Sequence, residues 1–210
     1  MTRATSLLED VLVEARDVGF LGPGPVGPHI EHARGFAVAY GDPRGPALAL
    51  DLGSGAGLPG LVLALGWPRA ELVLLDAGER RTAFLEQAVA ELGIADRVRV
   101  VRGRAEEVGR HHTERGRYDL VVARSFATPP VVAECAAPFL RVGGLLITSE
   151  PPEESPATGE RWPADGLGLL GLSPSRRVEN HFSYRVAEQQ TVCPDRFPRR
   201  VGVPAKRPLF

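Results

Sequence analysis

Ala47-Leu48-Ala49-Leu50-Asp51-Leu52-Gly53-Ser54-Gly55-Ala56-Gly57-Leu58-Pro59-Gly60 is the stretch that decides the fold. Residues 47–52 form a short apolar run stopped by glycine, the mark of a buried strand. Alternate glycines follow, which permit a tight turn and let a ligand lie against bare backbone. Leu58–Leu65 then reads as a helix. Strand, glycine turn and helix together begin an α/β unit.

The rhythm continues outward. ELVLLD (71–76), VRVV (98–101), YDLVVA (118–123) and Val142–Thr148 read as further strands. Between them, Arg80–Leu92 places Phe84, Leu85, Ala88 and Leu92 on one helical face, with Gly93 just past its end. Pro129–Leu140 reads as a Pro-initiated helix. The β-α-β-α order implies a mostly parallel sheet with helices on both faces. After Ser149 come a Pro-rich polar loop, a short helix within Trp162–Leu172, and two closely spaced strands, Arg177–Asn180 and Phe182–Gln190. Those strands form an antiparallel hairpin at the sheet edge. A parallel sheet closed by such a hairpin is the Rossmann-like pattern of class I methyltransferases.

On the N-terminal side, residues 3–18 carry Leu8, Val11, Leu12 and Ala15 at helical spacing. Gly19–Pro28 is a loop, His29–Tyr40 a second helix and Gly41–Pro46 a turn. The expected organisation is an N-terminal helical segment, 1–46, packed on a core domain, 47–210. Length fits one compact domain. Of 210 residues 43% are hydrophobic, an ordinary share for a soluble fold. No signal peptide or membrane-spanning run is evident, so a cytoplasmic location is the expectation. Cys135 and Cys193 are too few and too far apart for a disulfide framework or zinc site, and no metal is expected. His111-His112 reads as solvated loop rather than ligand pair.

The chemistry lies in the acids beside the glycines. Asp51 ends the first strand, and a carboxylate there suits a cationic methionyl group better than a pyrophosphate. Gly53, Gly55 and Gly57 follow as G-x-G-x-G, not as a clean dinucleotide fingerprint. Asp76 ends the next strand, positioned to accept from both ribose hydroxyls of an adenosine. Ala105 and Glu106 follow the third strand, where backbone and carboxylate could meet the adenine edge; an exposed charged helix start explains them equally well. Arg124 ends the fourth strand, in the crevice where such sheets bind ligands. These residues point to S-adenosyl-L-methionine as cofactor. The net charge of −1 opposes a broadly basic surface. From Arg196 to Phe210, however, there are five cations and no acid. That tail reads either as solvated or as a phosphate-binding strip.

These motifs resemble the bacterial 16S rRNA (guanine-N7)-methyltransferase family, RsmG/GidB, of which the chain looks like a divergent member. DLGSGAGLPG (51–60) is similar to that family's D-x-G-[ST]-G-x-G-L-P-G, and Leu58-Pro59-Gly60 is its specific part. LLDAGERRTAFLEQAVAELGI (74–94), GRAEE (103–107), VVARSFA (121–127) and FPRRVGVPAKRPL (197–209) resemble later segments. The resemblance implies cofactor contacts from Gly53, Leu58, Ala105, Glu106 and Arg124, with Arg124 also orienting the target. It implies RNA phosphate contacts from Arg199, Arg200, Lys206 and Arg207. The implied reaction is methyl transfer to N7 of a guanine in the 530 loop of 16S rRNA, free or within the 30S subunit. The chain departs from the family where ITSEPPEES (147–155) stands in place of a Lys-Gly, and in its N-terminal segment, where only His32 loosely matches.

A sulfonium methyl donor reacts by direct displacement, and guanine N7 carries no proton, so no general base is required. Two other readings stay open. The acids after the fifth strand suit a methyltransferase for a small molecule. A non-catalytic cofactor-binding module would keep the fold without the chemistry.

Overall fold

The computed structural model describes residues 3–151 and 161–210. Seven strands form one sheet: β1 (Leu48–Leu52), β2 (Glu71–Asp76), β3 (Val98–Arg102), β4 (Tyr118–Ala123), β5 (Leu140–Glu150), β6 (Arg176–Asn180) and β7 (Phe182–Glu188). Their spatial order is β3-β2-β1-β4-β5-β7-β6. The first five run parallel, and β7 lies antiparallel to both β5 and β6. The order reverses at β1, which pairs with β2 on one side and β4 on the other. That switch opens a crevice at the strands' carboxyl ends.

The strand pleat sorts the core into two layers. Ala49, Leu72, Leu74, Leu120, Val122 and Ile147 face one layer. Leu50, Leu52, Val73, Leu75, Val121 and Leu146 face the other. Both faces are covered, so the strands read as continuous apolar runs rather than alternating ones. Burying each such Leu stabilises the fold by about 1.5–3 kcal/mol.

The first layer is closed by α1 (Arg3–Asp17), α2 (Gly27–Tyr40), α3 (Gly60–Gly66) and α4 (Glu79–Glu91). Leu8, Val11, Leu12 and Ala15 of α1 are all buried there, as their spacing implies. The second layer is closed by α5 (Ala105–Val108), α6 (Pro129–Ala136), α7 (Ala164–Gly168) and the C-terminal segment with α8 (Val203–Lys206). Among the described residues no helix is long and apolar enough to cross a membrane.

Several boundaries differ from the sequence reading. The helix expected over Pro129–Leu140 ends at Ala136 and continues as a 3-10 turn, Ala137–Phe139, because Pro138 cannot extend an α-helical ladder. That releases Leu140 to begin β5 two residues early. The helix after the glycine turn begins at Gly60 rather than Leu58, with Pro59 as its N-cap. α8 was not anticipated in the Pro/Arg-rich tail.

Candidate functional site

The glycine turn is pinned from beneath. The N–H groups of Gly53 and Ser54 both donate to the Leu75 carbonyl at the end of β2, at 2.8 and 3.0 Å. Gly53, Gly55 and Gly57 all adopt positive φ. At Gly53 a Cβ would also strike the ring of Phe126, which lies on the turn. Gly60 is required for a different reason. A Cβ there would sit 2.6 Å from Asp51 Oδ2.

Asp51 does not reach the surface of the cleft. It is fully buried, and its Oδ2 accepts the Gly60 N–H at 2.9 Å. The Ser54 hydroxyl donates to the Asp51 carbonyl at 3.0 Å. Thus the carboxylate ties the strand end to the start of α3 and sets the shape of the turn. Burial pushes its carboxyl up to about 7, against the pull of the Gly60 hydrogen bond, Ser54 and Arg124. Asp51 Oδ1 has no partner among the described residues.

Asp76 is buried, and its two oxygens face different neighbours, the glycine turn on one side and the start of α4 on the other. Oδ2 accepts the Gly55 N–H at 3.0 Å; Oδ1 accepts the Gly78 N–H at 2.7 Å and Arg81 Nε at 2.9 Å. The exposed Arg81 therefore occupies part of the carboxylate expected to meet a ribose. A carboxylate offers about four lone-pair sites, so a ribose diol competes with Arg81 rather than finding Asp76 free.

A cleft of 590 Å³ lies over the turn, lined among others by Gly53, Gly55, Leu58, Asp76, Arg81 and Arg124. Its volume is that of an ordinary small-molecule site. A second, 60 Å³ recess adjoins it, bordered by Ala105, Glu106, Asp76 and Gly53. Phe126 borders both spaces. One wall of the cleft comes from the Gly/Pro-rich α1–α2 loop through Phe20, Leu21 and Gly22. Gly57 lies under the turn, where a Cβ would press on Leu61.

Arg124 is half-buried at the cleft. Its Nη2 lies 2.6 Å from His29 Nδ1, and its Nη1 is buried without a partner among the described residues. An unpaired buried donor beside bare backbone is costly unless something anionic meets it. The glycine turn, Asp76 and Arg124 thus stand together at one cleft, with Ala105 and Glu106 at the recess beside it, a donor set that fits the expected cofactor.

Glu106 serves a second contact. Its Oε1 accepts the Gly202 N–H at 3.0 Å, joining α5 to the C-terminal segment. The tail is not free in solution. Arg115 donates to the carbonyls of Cys193, Pro194 and Phe197 at 2.6, 3.0 and 2.7 Å. Arg199 is turned inward onto Glu134, whereas Arg200, Lys206 and Arg207 are exposed. The acidic stretch expected after the fifth strand begins at the last residue of β5 and is reached only in part. Glu150 is buried, paired with Arg161 Nε at 3.0 Å and Trp162 Nε1 at 2.9 Å. Glu153 and Glu154 lie outside the described residues. His111 and His112 are exposed, and no His/Cys/Asp/Glu group among the described residues could hold a metal.

Sequence reading missed His29, Arg81 and Phe126 as cleft residues. Phe126 had a signal, an aromatic following Arg124-Ser125 at a strand end. Arg81 and His29 had none, because each is defined by a partner brought in by folding.

Sheet order, antiparallel closing hairpin and glycine turn define the class I methyltransferase fold. Solved structures agree. Cofactor-bound Rv0187 from MTB superposes with a TM-score of 0.62 at 17% identity, covering 88% of this chain and 90% of that one. An O-methyltransferase family protein from Burkholderia thailandensis superposes at 0.61 and 13% identity, covering 79% and 56%. The family model for rRNA small subunit methyltransferase G (GidB) matches residues 37–154. A Ribosomal RNA small subunit methyltransferase G of Deinococcus radiodurans is 40% identical over 166 residues, 77% of this chain and 65% of the relative. That of Syntrophomonas wolfei is 36% identical over 187 residues, 86% of this chain and 85% of the relative. The chain belongs to the rRNA small subunit methyltransferase G family, and it spans just under two thirds of the Deinococcus relative's length.

Proposed function

We propose that this protein is an S-adenosyl-L-methionine-dependent methyltransferase that modifies N7 of a guanine in the 530 loop of 16S rRNA. The observation that carries this reading is the cleft over the glycine turn, lined by Asp76 and Arg124, in a family whose relatives are named for small-subunit rRNA methylation. When bound, the cofactor supplies an electrophilic methyl group on sulfur. Gly53, Gly55 and Leu58 form the backbone bed, with Gly57 and Asp51 fixing its shape from behind. Asp76 accepts the ribose hydroxyls, with Arg81 giving way. Ala105 and Glu106 bound the base. Arg124 holds the carboxylate end and faces the target.

Guanine N7 presents a lone pair in the plane of the ring. The protein therefore has to orient and desolvate it rather than remove a proton. Arg200, Lys206 and Arg207 supply phosphate contacts that hold the rRNA or 30S particle. Burial and pairing of Glu150 remove one of the charges that favoured a small-molecule acceptor.

Incubation with methyl-labelled cofactor and separate total RNA, 30S particles and metabolite fractions tests the reading. Label is expected in 16S rRNA, at a guanine whose N7 methylation makes the chain cleavable by borohydride and aniline. Label in the metabolite fraction alone would transfer the function to a small acceptor. Cofactor binding without transfer to any fraction would make the protein a binding module.

A further inference from the structure

Two groups at the cleft meet from distant parts of the chain. Arg124 directly follows β4, and His29 stands in the first turn of α2, 95 residues earlier. Arg124 Nη2 and His29 Nδ1 are 2.6 Å apart. Arginine has no acceptor and does not give up its proton in a protein, so the imidazole nitrogen must be the acceptor. The His29 ring is then neutral, with its proton on Nε2.

The helix that presents His29 is held rigidly. The buried Tyr184 of β7 donates its hydroxyl to the His32 carbonyl at 2.6 Å. Asn180 Nδ2 donates to the Gly35 carbonyl at 3.3 Å. A Cβ at Gly35 would overlap Tyr184, so the helix approaches the hairpin as closely as glycine permits. α2 packs on α3, β5 and β7. Both ends of the His29–Arg124 contact therefore stand on packed elements, and both residues line the cleft.

We propose that His29 is a positioning residue that acts as a neutral hydrogen-bond acceptor, fixing one arm of the Arg124 guanidinium so that the group is held in place at the methyl-transfer cleft. Its effect on rate rests on the methyltransferase reading above; the contact itself does not.

Protonation of His29 would remove the acceptor and set two cations against each other. Burial and the Arg124 charge both hold the imidazole below its ordinary range. The groups facing this pair are His32 from the next turn of α2, Asp51 from β1 and Tyr184 from β7. His32 is held at about 4, and the Tyr184 phenol is raised to about 12, so neither titrates near neutrality. Asp51 does, at about 7. The expected His29 limb lies on the acid side of pH 6.5, distinct from Asp51's.

The test uses three proteins: wild type, His29→Ala and His29→Asn. An Asn side-chain oxygen falls near the place of Nδ1 and accepts a hydrogen bond but does not titrate. His29→Ala is expected to lower kcat/KM for 30S particles by roughly ten- to a hundredfold, the loss of one hydrogen bond to a charged group. His29→Asn is expected to restore most of that and to abolish the limb below pH 6.5. An unchanged kcat/KM in His29→Ala, or an unchanged limb in His29→Asn, overturns the role.

Imidazole 15N spectra test the contact without activity. The wild type is expected to show His29 as the Nε2–H tautomer, with a pKa that rises when Arg124 is replaced by Ala. An Nδ1–H tautomer, or a pKa indifferent to Arg124, overturns the contact. If no fraction accepts a methyl group while the spectra behave as expected, the contact stands and the methyltransferase reading fails by itself.

Discussion

Arg199 clasps Glu134 across 65 residues of sequence, Nε to Oε1 at 2.8 Å and Nη2 to Oε2 at 2.6 Å. Glu134 is completely buried on α6, and the Arg199 backbone N–H also donates to Oε1, at 2.8 Å. A buried bidentate pair of this kind is destabilised strongly when one partner is removed, because the other charge is stranded. Arg199→Ala is therefore expected to cost about 3–5 kcal/mol of folding stability. Urea unfolding measures it. A loss below 1 kcal/mol would mean that Glu134 finds water or another donor, and would return Arg199 to the free cations of the tail.

The exposed tail cations should behave in the opposite way. Arg200, Lys206 and Arg207 face solvent. Replacing each by Ala is expected to change stability by no more than about 0.5 kcal/mol. Each cation that touches a phosphate should instead reduce the slope of log affinity against log salt by about 0.7–0.9. Salt titrations of 30S or rRNA binding report that slope. An unchanged slope in the triple variant would show that the tail does not meet RNA.

The contrast among these arginines shows how far sequence carries. β2 and β4 have the ends that ELVLLD and YDLVVA imply, because both faces of those strands are covered and the apolar runs stop where burial stops. The glycine turn was legible because its geometry is local. The tail's basic character was legible too, but its division between inward Arg199 and outward Arg200 was not. One cue existed: Glu134 sits in the apolar run Val131-Val132-Ala133-Glu134-Cys135-Ala136. A buried acid calls for a partner, but nothing local says which arginine answers. The Asp76–Arg81 and His29–Arg124 contacts share that character. They join residue types ordinary at their positions, and only the assembled sheet brings them together.

Asp51 gives a pH dependence with a definite sign. Its carboxyl is raised by burial to about 7 from an ordinary 3.8. Between those values the folded protein holds a proton that the unfolded chain has released. The stability contributed by this group is full below about pH 4 and is lost as pH rises through about 7. Urea midpoints of the cofactor-free protein at pH 5 and pH 8 should therefore differ. Asp51→Asn keeps an acceptor for the Gly60 N–H and removes the titration, so the difference should shrink. If wild type and variant show the same pH dependence, Asp51 is ionised throughout.

Asp76 tests the cofactor bed itself. Its two oxygens already hold the N–H groups of Gly55 and Gly78 and the side chain of Arg81. Asp76→Ala removes the ribose acceptor and releases the turn at once, and cofactor affinity should fall roughly a hundredfold, the cost of losing one to two hydrogen bonds to a charged acceptor. Arg81→Ala separates the two roles. It leaves both backbone contacts in place and frees lone pairs on Oδ1, so affinity should hold or rise. Calorimetric titration with S-adenosylhomocysteine reads both variants. A hundredfold loss in Arg81→Ala would show that Arg81 binds the cofactor directly, and that its contact with Asp76 is part of the bed rather than a competitor for it.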